Sequence, residues 1–377
     1  MNTVLPPGSP AALAALAGLP SIGPKRLQML LAHHEPGDAL DRLASGAALD
    51  PMFVRATPGD LLDRLRAQAA LASPEQVLAA CERAGITVLG RSDPRYPAQL
   101  AVDPDAPEVL FVRGDPAAVD ARRVGLIGTR HATASGRATA SELGQALAEA
   151  GVAVVSGLAR GIDAAAHRGV RSAVGPGRPI AVVGSGPDVH YPKPNAELWE
   201  WVAESGLLMS EWPPGTPPDG WRFPQRNRII AALCEVLVVV ESRRRGGSLI
   251  TARAAADRSV EVMAVPGSPR SQASEGTNQL LVDGAAPVTS VDDVMTMLGL
   301  DHRRQAELPF DPRPLPDALQ SKVLGVCELR PSTIAMIADD VEASLCDIAL
   351  AAARLERDGW LLEAGGWFEA AGSRLSP

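Results

Sequence analysis

The chain has 377 residues, a formal net charge of −8 and a hydrophobic fraction of 46%. That length holds two or three domains and at least one sizeable core, and the composition excludes a disordered chain. No apolar run approaches the roughly 20 residues that span a bilayer, and an acidic chain must concentrate any contact with nucleic acid in a local basic surface.

Arginine supplies nearly all the positive charge, because lysine occurs only at Lys25, Lys193 and Lys322. Cys81, Cys234, Cys327 and Cys346 lie far apart with no Cys-x-x-Cys pair. This argues against zinc and redox centres and for reduced core thiols in a cytoplasm. The apolar AALAALAGLP follows no Lys or Arg, so a secretory leader is not expected.

Residues 1–84 read as short helices rich in Ala and Leu. Within them AGLPSIGPKRLQMLL (17–31) sets a glycine-bearing turn between two helices, with Lys25 and Arg26 opening the second. The pattern is SAM- or helix-hairpin-helix-like, and such a turn offers N–H groups to a phosphate. Seven acidic residues against six basic ones through Ala80 keep a purely structural role open beside DNA contact. From 86 to 114, short strands broken by prolines look like an extension of the next domain.

Residues 85–300 alternate strand and helix. Apolar runs of strand length cover 124–128, 152–155, 180–184, 207–210, 236–240 and 260–265, with helical stretches such as SGRATASELGQALAEAG and SLITARAAADR between them. Strands buried on both faces and alternating with helices predict a doubly wound parallel sheet in an α/β domain. Residues 301–316 read as a charged, proline-bearing linker. Residues 317–377 hold three helical patterns and a hairpin around Gly365 and Gly366, a winged-helix order.

Each central strand is followed by a polar, glycine-rich loop: GTRHATASG, SGLARGIDAAAH, GSGPDVHYPKPN, EWPPGTPPDGWRFPQRNR and ESRRRGGSLITA. In such a sheet these loops converge beyond the carboxyl ends of the strands, where glycines and helix N-termini favour anions. Between 221 and 270 there are nine arginines against four acidic residues, whereas 315–377 carry five basic and ten acidic. Tyr191, Trp199, Trp201, Trp212, Trp221 and Phe223, six of the thirteen aromatics, fall between 191 and 223. Arginine for phosphates and rings for bases are what single-stranded nucleic acid needs. Packing within a helix is the simpler role for Trp199 or Trp201. The Arg243–Arg244–Arg245 run fits either a phosphate contact or a solvated loop. There is no Gly-x-Gly-x-x-Gly and no Walker loop. Asp163 and His167, four apart on a helix, read as a surface pair without an activated nucleophile. No catalytic residue, metal or cofactor is expected.

The ordered motifs GTR, SGLARGID, YPKPN, FPQRNRIIAAL, GGSLITA and VMAVPG, from about 95 to 294, resemble the DprA/Smf family of DNA-processing proteins of natural transformation. The resemblance implies an extended Rossmann-like domain that binds single-stranded DNA without catalysis, forms a homodimer, and helps load RecA onto strands coated by single-strand binding protein. Carried over motif by motif, it implies a DNA site of Gly128, Thr129 and Arg130, then Ser156 and Gly157, then Lys193, then Phe223, Arg226, Asn227 and Arg228, closed by Gly247 and Ser248. The family often has a serine where this chain has Gly246, so no hydroxyl contact is expected there. Two rivals stand beside it. One is a nucleotide-binding hydrolase of the phosphoribohydrolase kind, which would also want glycine-rich phosphate loops. The other is a duplex-DNA regulator acting through the winged helix, whose third helix carries Asp347, Glu356 and Asp358 and is poorly charged for the major groove.

Overall fold

The computed structural model describes residues 9–300 and 313–371, which fall into two compact units divided after Asp301. In the first, the described residues build a nine-stranded sheet. Its strands are β1 (Thr87–Gly90), β2 (Val109–Gly114), β3 (Arg123–Ile127), β4 (Ala153–Ser156), β5 (Pro179–Val183), β6 (Leu207–Ser210), β7 (Val236–Val239), β8 (Glu261–Ala264) and β9 (Ala286–Pro287). The spatial order is β1-β2-β6-β5-β4-β3-β7-β8-β9. Every pairing from β6 to β9 is parallel, while β2 runs antiparallel to both β1 and β6. The 86–114 stretch is therefore an antiparallel extension of the sheet edge.

Alternate strand residues serve opposite layers. Leu237 and Val239 pack with Ile229, Ile230 and Ala252 on one face. Val236 and Val238 pack with Leu147, Ile162 and Val294 on the other. This double covering is why the strands read as unbroken apolar runs. From β3 the chain winds outward through β4, β5 and β6, then returns to β7 on the other side of β3. The loops after β3 and β7 thus part at a topological switch point, where such sheets bind ligands.

Proline at the first helical turn and the caps Ser9, Asp50 and Ser73 start helices Pro10–Ala17, Pro51–Ala56 and Pro74–Arg83. The apolar AALAALA lies in the first of these, every residue of it buried. Leu16, Leu30, Leu43, Phe53 and Leu65 share one cluster with Val88, Val109 and Phe111 of the sheet. The division expected at 84 and 85 falls between a helix and β1, inside one compact unit.

Part of the expected linker, residues 301–312, lies outside the described residues. The second unit has helices Ala318–Leu329, Ile334–Val341 and Leu345–Arg357, with strands β10 (Ser332–Thr333), β11 (Leu361–Ala364) and β12 (Trp367–Ala370) ordered β10-β12-β11. Gly365 and Gly366 take φ of 61° and 84° and close the β11–β12 hairpin in two residues, a turn that few other residues permit. Cys81, Cys234 and Cys327 are buried, but Cys346 is exposed, so the expected core placement fails for one thiol.

Candidate nucleic-acid interface

A cleft of about 610 Å³ opens beyond the carboxyl ends of β3 and β7. Three elements bring its sequence-predicted residues, beside Ala159 and Asp163 from after β4 and Tyr191 from after β5. The loop after β3 brings Gly128, Thr129 and Arg130; the first turns of helix Arg222–Leu233 bring Phe223, Arg226 and Asn227; the start of helix Gly247–Ala256 brings Gly246, Gly247 and Ser248. The middle element follows from its sequence. Ile229, Ile230, Ala231 and Leu233 are buried and anchor the helix, which leaves its polar beginning at the cleft.

Glu241, which follows β7 closely and is 8% exposed, orders the β3 loop. Its backbone carbonyl accepts from the Thr129 amide at 2.8 Å, and its carboxylate accepts from the Thr133 amide at 2.9 Å and the Thr133 hydroxyl at 2.5 Å. A Cβ on Gly136 would lie 2.2 Å from that carboxylate carbon, so glycine lets the helix start close over it. Nothing in the motif spelling singled out Glu241; its place two residues before the arginine run was the one available signal.

The aromatic wall is a pair. Phe223 stacks on Tyr191 with centroids 5.5 Å apart and planes at 27°. The Arg130 guanidinium lies 4.8 Å from the Phe223 centroid. Arg130 is exposed, and Tyr191 is 41% exposed. Rings and a guanidinium at one mouth offer a base a stacking face and a phosphate a partner. Helix Gly247–Ala256 starts without a side-chain cap, beside the exposed Arg243, Arg244 and Arg245. Its amide end faces the same cleft and favours an anion.

Eight of the twelve residues expected in the site line this cleft: Gly128, Thr129, Arg130, Phe223, Arg226, Asn227, Gly247 and Ser248. The other four do not. Ser156 is fully buried and donates its hydroxyl to the Leu126 carbonyl at 2.6 Å, which fastens β4 to β3. Gly157 is buried beneath Arg226, whose guanidinium would lie 2.5 Å from a Cβ there. Lys193 is exposed on a short turn and has no ion pair among the described residues. Arg228 turns to another groove and pairs with Glu211 at 2.6 Å.

Arg226 differs from the free phosphate partner that the motif suggested. It is 5% exposed, donates to the Gly157 carbonyl at 2.8 Å and also to the Val182 carbonyl, and touches the Asn227 side-chain oxygen at 3.2 Å. Burial lowers its pKa to about 10, so it stays charged at neutral pH. It ties the loop after β4 to β5 and presents its charge from below the cleft floor. Ser248 likewise gives its hydroxyl to Ser242 at 2.8 Å. A Cβ at Gly246 would sit 2.3 Å from that Ser242 oxygen, so the glycine there fits this loop.

Asp163 and His167 are not a surface pair. They are 6% and 0% exposed on helix Ile162–Ser172. Burial pushes the Asp163 carboxyl up, against the pull of Arg226 and Arg130. Neither His167 ring nitrogen has a partner among the described residues, and burial lowers its pKa to about 3. Trp199 is fully buried and donates its indole N–H to the Pro187 carbonyl at 2.9 Å, which is the packing role. Among the described residues no group of three or more His, Cys, Asp or Glu is placed to hold a metal ion, and no helix is long and apolar enough to cross a membrane.

Residues 87–299 match the family model described as DNA recombination-mediator protein A. The chain is 39% identical over 224 residues to the DNA processing protein DprA of Bacillus subtilis, covering 59% of this chain and 75% of that protein. It is 40% identical over 203 residues to DprA of Streptococcus pneumoniae, covering 54% and 71%. The X-ray structure of the pneumococcal protein superposes with a TM-score of 0.64 at 30% identity, over 76% of this chain and 97% of that one. DNA processing protein A of Helicobacter pylori, whose structure concerns its single-stranded DNA binding mode, gives a TM-score of 0.52 at 27% identity over 57% and 96%. The family is one of recombination mediators and not of catalytic enzymes. With more than half its length matched by that model, the chain belongs to the DNA recombination-mediator protein A family.

Proposed function

We propose that this protein binds single-stranded DNA in the cleft beyond β3 and β7, and does so as a cytoplasmic homodimer that loads RecA onto strands held by single-strand binding protein, in natural transformation or repair. The observation that carries the reading is the Tyr191–Phe223 stack with Arg130 over it, in a cleft that is also lined by the uncapped start of helix Gly247–Ala256. Unpaired bases reach such rings and paired bases do not. The role of the H. pylori relative with single-stranded DNA supports the same assignment. In this reading the helices of residues 10–83 are a SAM- or helix-hairpin-helix-like module. The second unit, with three helices followed by a hairpin, is a winged helix that contacts protein partners.

Competition decides the central claim. A labelled oligothymidine is displaced by unlabelled single strand or by duplex of equal length at fixed salt. Single strand should win by a wide margin; equal displacement would overturn the reading in favour of a duplex binder. RecA nucleation on strands coated by single-strand binding protein, with and without the protein, tests the mediator role, and a light-scattering mass tests the dimer.

A further inference from the structure

Trp221 is the feature that the central cleft leaves unused. It precedes helix Arg222–Leu233, is 47% exposed, and is nevertheless held from three sides. Its indole N–H donates to Asp219 at 2.8 Å. The buried Trp212 meets it edge-on, with centroids 5.2 Å apart and planes at 86°. The Arg222 guanidinium lies 5.0 Å from its centroid and 4.8 Å from that of Trp212. A large ring that is fixed in place yet nearly half open loses little entropy when a flat ligand stacks on it.

The surroundings say what kind of ligand. Trp221 lines three grooves, of about 300, 540 and 460 Å³. The first shares Pro224 with the central cleft, and it shares Lys25 with the third. The grooves thus form a path from the cleft, past Trp221, to the turn before helix Gly23–Leu31. That helix starts with Gly23 at φ 60°, has no side-chain cap, and has no acidic residue in its first turn. Lys25 is exposed without an ion pair among the described residues, and the Arg26 Nε has no partner among them. The carboxylates along the path are engaged: Asp219 by Trp221, Asp105 by Arg258 at 3.2 Å, Asp188 by the Gly215 amide at 2.9 Å, and Glu211 by Arg228 at 2.6 Å. The path offers cations and a ring, in the order cleft, ring, cations.

We infer that a single strand longer than the central cleft continues over Trp221, with one base stacked on the indole and the next phosphates held by Lys25 and Arg26. This rests on the single-strand reading of the central cleft and extends it into the helical module. It gives the glycine-bearing turn of residues 18–23 a ligand, and it makes affinity depend on strand length within one protomer.

The test compares a short oligothymidine of about 5 nucleotides with a long one of about 20, using the full chain. Trp221→Leu should weaken the long strand by about tenfold, within the range for one stacked base, and leave the short strand unchanged. Trp221→Phe keeps a ring and should restore most of the long-strand affinity. Quenching of intrinsic tryptophan fluorescence by the long strand should shrink in Trp221→Phe. Lys25→Gln with Arg26→Gln should reduce the salt slope for the long strand by about 0.7 for each phosphate no longer neutralised; this pair decides the matter if Trp221→Leu does not fold. Unchanged long-strand binding in Trp221→Leu and in the double variant overturns the path while leaving the central cleft intact, and opens the face to another occupant such as an acidic peptide. Equal losses for both lengths also overturn it. A wild-type chain that binds neither strand overturns the single-strand reading itself.

Discussion

Phe223 and Arg130 touch each other before any ligand arrives, so their contributions to binding are coupled. Phe223→Leu keeps bulk and removes the ring, and should cost on the order of 1–3 kcal/mol if one base stacks there. Arg130→Ala should leave stability nearly unchanged, because the side chain is exposed, while lowering the salt slope of binding by about 0.7 for one phosphate. Since the guanidinium lies 4.8 Å from the ring, the double variant should lose less than the two single losses combined. Strictly additive losses in a binding titration would mean that the pair does not act as one unit. His167 concerns the fold and not the ligand. Its folded pKa, about 3, lies below the ordinary 6.5, so the unfolded chain binds more protons between those values. Its neutral form is therefore accommodated at full strength above about pH 6.5, and that contribution is lost as pH falls toward 3. His167→Leu removes two buried ring nitrogens that have no partner among the described residues, each unsatisfied group costing about 1–3 kcal/mol. It should raise the urea midpoint at pH 5 and flatten the midpoint between pH 6.5 and 4; an unchanged pH profile would remove His167 as the cause.

Helix Arg222–Leu233 shows how one element divides its duties. Successive residues turn by about 100°, so side chains two apart point some 200° apart. Arg226 and Arg228 therefore cannot share one face, and they do not: one lies under the central cleft, the other pairs with Glu211 beside a second groove. That separation was available from the spelling FPQRNR once a helix was drawn through it. What the spelling does not carry is depth. Arg226 reads like any loop arginine, and its burial goes with the Gly157 and Val182 carbonyls, supplied by the loop after β4 and by β5, far away in sequence. The same contrast holds across the sheet. The six central strands are legible because parallel strands covered on both faces need unbroken apolar runs. β9 spans two residues, one of them a proline, and leaves no periodic trace. The antiparallel place of β2 beside β6 is a matter of long-range pairing, invisible in either segment. Arg226→Gln should then act as a folding defect first. It withdraws a charged donor from two buried carbonyls, and at about 1–3 kcal/mol per orphaned group it should lower the urea midpoint well below that of Arg130→Ala. A variant as stable as wild type that only loses DNA affinity would return Arg226 to the role of direct phosphate partner.

At the scale of the whole chain, one basic segment stands apart from one acidic segment. Residues 221–270, in the first unit, carry nine arginines against four acidic residues; residues 315–377 carry five basic against ten acidic. A polyanion gains from the first and is repelled by the second, most at low ionic strength. The second unit also has a core of its own, with Val323, Ile337, Ile348 and Leu355 buried together. The helices of residues 10–83, by contrast, share their core with β1 and β2. Removing the second unit should therefore be tolerated, whereas removing the first 84 residues would strip Val88, Val109 and Phe111 of their cover. A chain ending near His302 should keep its single-strand affinity at moderate salt and bind slightly tighter at low salt, where the acidic unit no longer repels the strand. A chain starting near Gly85 should aggregate or melt early. Paired titrations of full-length and shortened protein against one oligonucleotide, at two salt concentrations, measure the first expectation. A loss of about tenfold or more, roughly 1.4 kcal/mol, in a shortened protein that stays folded would move part of the DNA site into the second unit, against the sign of its charge.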